Sequence, residues 1–211
     1  MPKLIDLLRG ITEAKAPGPT PSFSSVHVLK VIWLIRDYGP IGRSRLAQLT
    51  GLGEGSIKTL LNRLRAAELI EVTDRGVILT NKGRLLGSLL KRIVPKTALL
   101  SKMPITIGRY GYGGLVKGMA GNVRIGLEQR DEAIKAGASG ATTIIKVDNE
   151  LILPPSLKLS QKYPETSKIL TEIFEPENND VIVIGCADDP LLAEYGALAA
   201  VLTLIGDIKT E

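Results

Sequence analysis

Apolar positions recur at three- and four-residue intervals along the first part of the chain. Leu4, Ile5, Leu7, Leu8 and Ile11 predict a short amphipathic helix within residues 1–15. The prolines of "APGPTPS" (16–22) end it. Val28, Leu29, Ile32, Trp33 and Ile35 predict a second helix, with Ser24 or Ser25 as cap and Gly39-Pro40 as stop. Over 42–51 a short helix turns Leu46, Ala47 and Leu49 inward, and Gly51 closes it. The turn Gly51-Leu52-Gly53 opens into a longer helix at about 54–68, where Ile57, Leu60, Leu61 and Leu64 share one side. Short β-branched and apolar runs then surround Asp74-Arg75-Gly76, which predicts a hairpin. "TNKGRLLGSLLKRI" returns to helical spacing, with Thr80 or Asn81 as cap and Pro95 as end.

The second part of the chain mixes both periods. "ITIGRYGYGGLVKGMAG" is glycine-rich and strand-like. "NVRIGLEQRDEAIKAGA" predicts a helix capped by Asn122 and closed by Gly137. "ATTIIKVDNELILPP" reads as a hairpin about Asp148-Asn149, and "SLKLSQKYPETSKILTEIF" as a helix broken at Pro164. "DVIVIGCADD" is a buried strand, and Asp189-Pro190 starts a final helix. The expected fold class is α+β: a small antiparallel or mixed sheet with helices on one face. The predicted domains are 1–94 and 105–211, with 95–104 as linker.

Charge sharpens this division. The net charge of +5 hides 17 Lys+Arg against 7 Asp+Glu in residues 1–103, and 10 against 15 in residues 104–211. The basic half is the candidate for a polyanionic partner. A lone cysteine, Cys186, excludes an intrachain disulfide, and a lone histidine, His27, leaves no Cys/His zinc set. With no catalytic constellation and no cofactor motif, the chain is not read as an enzyme. The N-terminus is too short and too charged for a signal peptide, and the longest apolar run carries Glu194 and is shorter than a membrane span. The expectation is a cytoplasmic protein with no membrane partner.

Residues 24–94 resemble the winged helix-turn-helix domains of prokaryotic transcription regulators. The resemblance rests on "RSRLAQLTGLGEGSIKTLLNRLRAAELIE", on the compact wing "VTDRGVIL", and on the exit "LTNKGRLL". The whole chain resembles archaeal proteins in which such a module precedes a C-terminal domain of unknown function. One departure is Gly53-Glu54-Gly55, where relatives often carry Ser, Thr or Arg.

The resemblance makes 54–68 the reading helix for duplex DNA. Its polar side offers Ser56, Lys58, Thr59, Asn62 and Arg63. Asn can pair with adenine, and Arg with guanine or phosphate. Arg43 and Arg45 open the preceding helix, Arg75 tips the wing, and Lys82 follows it; each is a candidate phosphate contact or an ordinary exposed residue. The basic half has only Phe23, Trp33 and Tyr38 as aromatic residues, which favours a duplex over single-stranded RNA. The alternative is an RNA- or translation-associated protein that uses the same module on structured RNA or protein. The leucine stripe at 85, 86, 89 and 90 with Ile93 serves either a homodimer or the N-terminal helix of its own chain. The acidic half is expected to dimerise, to sense a small molecule, or both; Arg109, Tyr110 and Tyr112 are the candidate contacts for such an effector, while "GRYGYGGLVKG" lacks phosphate-loop spacing. No metal site is expected.

Overall fold

The computed structural model describes residues 3–14 and 21–210. The proline break expected over 16–22 falls mostly on residues 15–20, outside the described residues. The chain is mixed α+β and divides into two compact units, Met1–Leu90 with Gly206–Glu211, and Lys91–Ile205. Among the described residues no helix is long and apolar enough to cross a membrane.

In the first unit the elements are α1 (Leu4–Thr12), α2 (Ser25–Tyr38), α3 (Arg43–Thr50), α4 (Glu54–Ala66), β1 (Ile70–Thr73), β2 (Gly76–Leu79) and α5 (Asn81–Ile93). α2 buries Val28, Leu29, Val31 and Ile32 in sequence, so it runs through the core rather than along its edge. Gly51 closes α3 in the left-handed region at φ 65. α4 ends two residues short of the expected 68. β1 and β2 pair through Thr73↔Gly76 and Ile70↔Leu79, and Ile41 exchanges backbone hydrogen bonds of 3.1 and 2.9 Å with Val77. Thr80 is the cap of α5, its Oγ1 accepting from the Gly83 amide at 3.1 Å. Of the leucine stripe, Leu86, Leu90 and Ile93 are buried, whereas Leu85 is 68% exposed.

α2 begins on a titratable cap. The Ser24 amide donates to His27 Nδ1 at 3.1 Å, which needs an unprotonated nitrogen. Burial, and then the nearby Lys30 charge, lower the His27 pKa below 6.5. The folded state therefore holds the neutral ring, and its contribution is present above pH 6.5 and is lost as pH falls through the folded pKa. The urea midpoint is expected to drop on acidification through this window. His27→Gln is expected to flatten that dependence.

The second unit is built on a six-stranded sheet in the order β3-β4-β8-β5-β6-β7. Its strands are β3 (Thr97–Leu100), β4 (Tyr110–Val116), β5 (Gly140–Val147), β6 (Glu150–Leu153), β7 (Leu157–Lys158) and β8 (Val181–Ala187). Every pairing is antiparallel. The expected linker 95–104 is corrected here: Thr97–Leu100 pairs with Gly111–Gly114 as an edge strand. Asp148 and Asn149 both take positive φ, 47 and 66, and close the β5–β6 hairpin as its two-residue loop demands.

Helices cover both faces of the sheet, not one. Leu159 of α7 (Leu159–Lys162) and Leu170 and Phe174 of α8 (Pro164–Phe174) share a core with Ile182, Ile184 and Cys186. α6 (Leu127–Lys135) and α9 (Pro190–Ile205) lie on the opposite face, where a Cβ on Gly114 would meet Val201 and one on Gly185 would meet the α9 backbone. β8 is consequently buried at all seven positions, which explains its unbroken apolar run. Gly113 has a packing role: a side chain there would overlap the Phe174 ring. α6 starts at Leu127, five residues after the expected Asn122 cap. Asn122 instead sits in a 3-10 turn and donates its amide to the Leu204 carbonyl at 3.1 Å.

Candidate nucleic-acid interface

α4 buries Ile57, Leu60, Leu61 and Leu64, and so divides its remaining surface into two flanks. At about 100° per residue from Ile57, Lys58, Asn62 and Thr59 fall on one flank, and Ser56 and Arg63 on the other. The two flanks have different fates.

Lys58, Thr59 and Asn62 are exposed. Thr59 Oγ1 donates back to the Gly55 carbonyl at 3.0 Å, leaving its methyl and oxygen outward. Arg65 completes this face and is not among the expected contacts. It is exposed, and its helical angle lies about 20° from that of Lys58, which is the signal that places it there.

The second flank is occupied by the chain itself. Arg63 Nη1 donates to the carbonyls of Ile11 at 2.8 Å and Glu13 at 2.7 Å, and its guanidinium stands 5.4 Å from the Phe23 ring centroid. It holds the last carbonyls of α1 against α4. Ser56 is half-buried and shares a 2.6 Å hydrogen bond with Ser22. Both expected contacts are thus engaged within the chain. Arg63→Ala is expected to cost about 2 kcal/mol, the scale of hydrogen bonds to a charged donor, in a denaturant titration.

Glu54 opens α4 and pairs with Arg43 at 3.7 Å, both groups being at least half exposed. The pair is weak, but it draws the carboxylate toward the start of α3 and partly neutralises Arg43. Arg45 is exposed and donates to Gln48 at 2.5 Å. Arg75 is exposed at the hairpin tip. Lys82 is committed to the far end of α4, donating to the Ala67 carbonyl at 3.0 Å and pairing with Glu68 at 3.7 Å. Of the expected cations with Arg65 beside them, Lys58, Arg65, Arg45 and Arg75 are exposed and make no ion pair among the described residues, and Arg43 is half-engaged.

In the second unit the expected effector contacts lie at the start of β4. The Arg109 amide donates to Asp188 at 3.0 Å, the Tyr112 hydroxyl donates to Thr97 at 3.1 Å, and Tyr110 is 38% exposed. A cavity of about 290 Å³ in this unit is lined by other residues, Thr143 and Arg130 among them. Asp189 caps α9 by accepting from Leu191 and Leu192. Cys186 is buried, and desolvation raises its pKa, so the thiol is held protonated.

Both units have known relatives. Residues 26–85 match the family described as "PH0730-like, N-terminal domain", and residues 107–204 match "Domain of unknown function (DUF4443)". A solved structure, "Hypothetical protein PH0730 from Pyrococcus horikoshii OT3", is 30% identical, with a TM-score of 0.70 over 87% of this chain and 93% of that one. The chain belongs to the family of that archaeal protein. No protein of curated function matches it.

Proposed function

We propose that the protein is a DNA-binding transcription regulator whose first unit is a winged helix-turn-helix. In this reading α3 and α4 form the helix-turn-helix, and β1–β2, anchored to Ile41, is the wing. The observation that carries the reading is the exposed face of α4. Thr59 and Asn62 stand away from a buried leucine stripe with Lys58 and Arg65 on its flank, in a helix that follows a short helix and a left-handed glycine turn. Small and hydrogen-bonding side chains let such a helix enter a major groove, with the cations at its margin meeting phosphates. Arg45 and Arg75 extend the phosphate contacts to either side.

A duplex fits better than a single strand. Phe23 and Trp33 are buried, which leaves Tyr38 as the exposed aromatic residue and no stacking platform among the described residues of this unit. Leu85, exposed on α5, supports homodimerisation, which would present two α4 helices to two half-sites. The second unit serves as the sensor of a small-molecule effector, and the protein works in the cytoplasm.

Mobility shift with genomic duplex fragments and with tRNA, each at two salt concentrations, tests this. The expected result is a subset of duplexes retained at the higher salt while tRNA is released. Retention of tRNA with loss of all duplexes would instead favour an RNA-associated role for the same face.

A further inference from the structure

The sheet of the second unit has an open edge inside it. β8 runs along β5 from Gly140 to Ile145, whereas β6 pairs with β5 only from Ile145 to Val147. Continued in that register, Pro154 would stand opposite Thr143, and a proline has no amide to offer it. β6 ends one residue earlier, at Leu153.

Hydrogen bonds in an antiparallel ladder alternate between the two sides of a strand. The Lys146 amide donates to the Asp180 carbonyl at 2.9 Å, so Thr142 and Ile144, in step with Lys146, also bond toward β8. Ala141 and Thr143 turn their amides and carbonyls the other way, where no partner stands among the described residues. Thr143 is buried, and buried backbone groups are almost always paired.

The cavity of about 290 Å³ noted above follows this edge, since Ala141, Thr142 and Thr143 all line it. It crosses the edge rather than resting on one face. Ile105 and Tyr163 pack against the core beneath α8, and the Ile105 carbonyl accepts from the Thr142 hydroxyl at 2.6 Å. Gly126 stands on the α6 face, where an added Cβ would lie 3.3 Å from the Thr143 Cβ. All of these line the one cavity, as do Ile125 and Leu127, two apolar side chains left exposed.

We propose that this slot binds an extended apolar segment of a partner protein as an added strand on β5. The residues of the segment opposite Ala141 and Thr143 exchange two hydrogen bonds with each, and their side chains turn to the α6 face. The residue between them turns toward Ile105 and Tyr163. The edge itself selects an extended chain: it presents four backbone groups over about 7 Å, with room for side chains on both faces. A helix uses its own backbone groups internally and would leave all four unpaired. The site belongs to the second unit alone, does not include the Arg109 region, and does not depend on DNA binding by the first.

Amide hydrogen exchange of the full chain, followed by NMR with a panel of acetyl-Lys-X-Y-X-Lys-amide peptides, tests it. X is Val or Ala, and Y is Ile, Leu or Val. In the free chain the Ala141 and Thr143 amides are expected to exchange faster than those of Thr142 and Ile144. The best peptide is expected to slow the first two at least tenfold and to leave the other two unchanged. N-methylation at both X positions removes two hydrogen bonds to β5 and is expected to weaken binding about tenfold or more, whereas methylation at Y, whose amide faces away, is not. Ala141→Pro removes an amide that β8 does not use and is expected to weaken binding by about the same factor as one lost hydrogen bond or more. Ile125→Ser leaves the edge intact and is expected to weaken it several-fold, and the melting of each variant reports whether it folds. The proposal is overturned if no peptide slows Ala141 and Thr143, if those amides already exchange as slowly as Ile144 in the free chain, if methylation at X and at Y act alike, or if both folded variants keep wild-type affinity.

Discussion

Replacing Lys58 and Arg65 together by alanine is expected to weaken binding to every duplex by a similar factor. It is also expected to lower the slope of log affinity against log salt by about two, one for each phosphate that is no longer neutralised. Both side chains are exposed on the same flank of α4, and both can swing to a backbone phosphate without disturbing the core. Asn62→Ala should act differently. An Asn–adenine pair in the major groove is worth about 1–3 kcal/mol, so its removal should relax preference at one base position and leave the salt slope unchanged. Arg63→Ala is the internal control. Its guanidinium is engaged by the Ile11 and Glu13 carbonyls, so the substitution should lower stability while leaving salt-dependent affinity near wild type. Fluorescence anisotropy across a salt series, read beside a denaturant titration of each variant, separates these outcomes. If Arg63→Ala weakened binding as much as the Lys58/Arg65 pair while still folded, the exposed flank would not be the contact surface.

The helical period and the glycine turn make most of the first unit legible from sequence. α2, α3, α4, the hairpin and α5 fall within a residue or two of their expected places, because each has an apolar stripe and a local start or stop. The candidate site is only half legible. Periodicity shows which side of α4 is apolar, but it cannot tell which part of the polar side another segment will cover. Ser56 and Arg63 look outward in the sequence because their partners, Ser22, Ile11 and Glu13, are more than thirty residues away. Arg65 escapes notice because a helix-end arginine looks like ordinary surface until its angle is set beside that of Lys58. In the second unit the misreadings concern pairing. Residues 95–104 lack an alternating pattern, because an edge strand such as β3 has little to bury, and only its partner β4 makes it a strand. The second helical layer is hidden for a related reason: the unbroken apolar run of β8 signals burial on both faces but does not say what lies on each.

The largest effect on stability is expected at Gly185, in the middle of the sheet. An added Cβ there would strike the Ala193 carbonyl and the Ala197 amide and would come within 2.9 Å of the Gly196 carbonyl carbon. All three obstacles are backbone of α9, which cannot yield as a flexible side-chain end can. Gly196 in turn is confined, since a Cβ on it would meet that of Ala138 at 2.5 Å. Two glycines on facing elements thus let a helix lie directly on the central strand. Gly185→Ala would reduce the freedom of the unfolded chain, a gain of about 0.4–1 kcal/mol. The overpacking cost is about 1–3 kcal/mol for an added methyl(ene) in a core that can relax, and here it should reach or exceed the top of that range. The net expectation is a destabilisation of roughly 2 kcal/mol or more. Gly10→Ala supplies the opposite case: it lies within α1, nothing stands within 4 Å of its added Cβ, and it should gain about 0.5–1 kcal/mol. Calorimetric melting should show the second-unit transition of the Gly185 variant moving to lower temperature, while the Gly10 variant shifts the first upward. A Gly185→Ala protein with a wild-type midpoint would mean that α9 does not rest on β8 at this closeness.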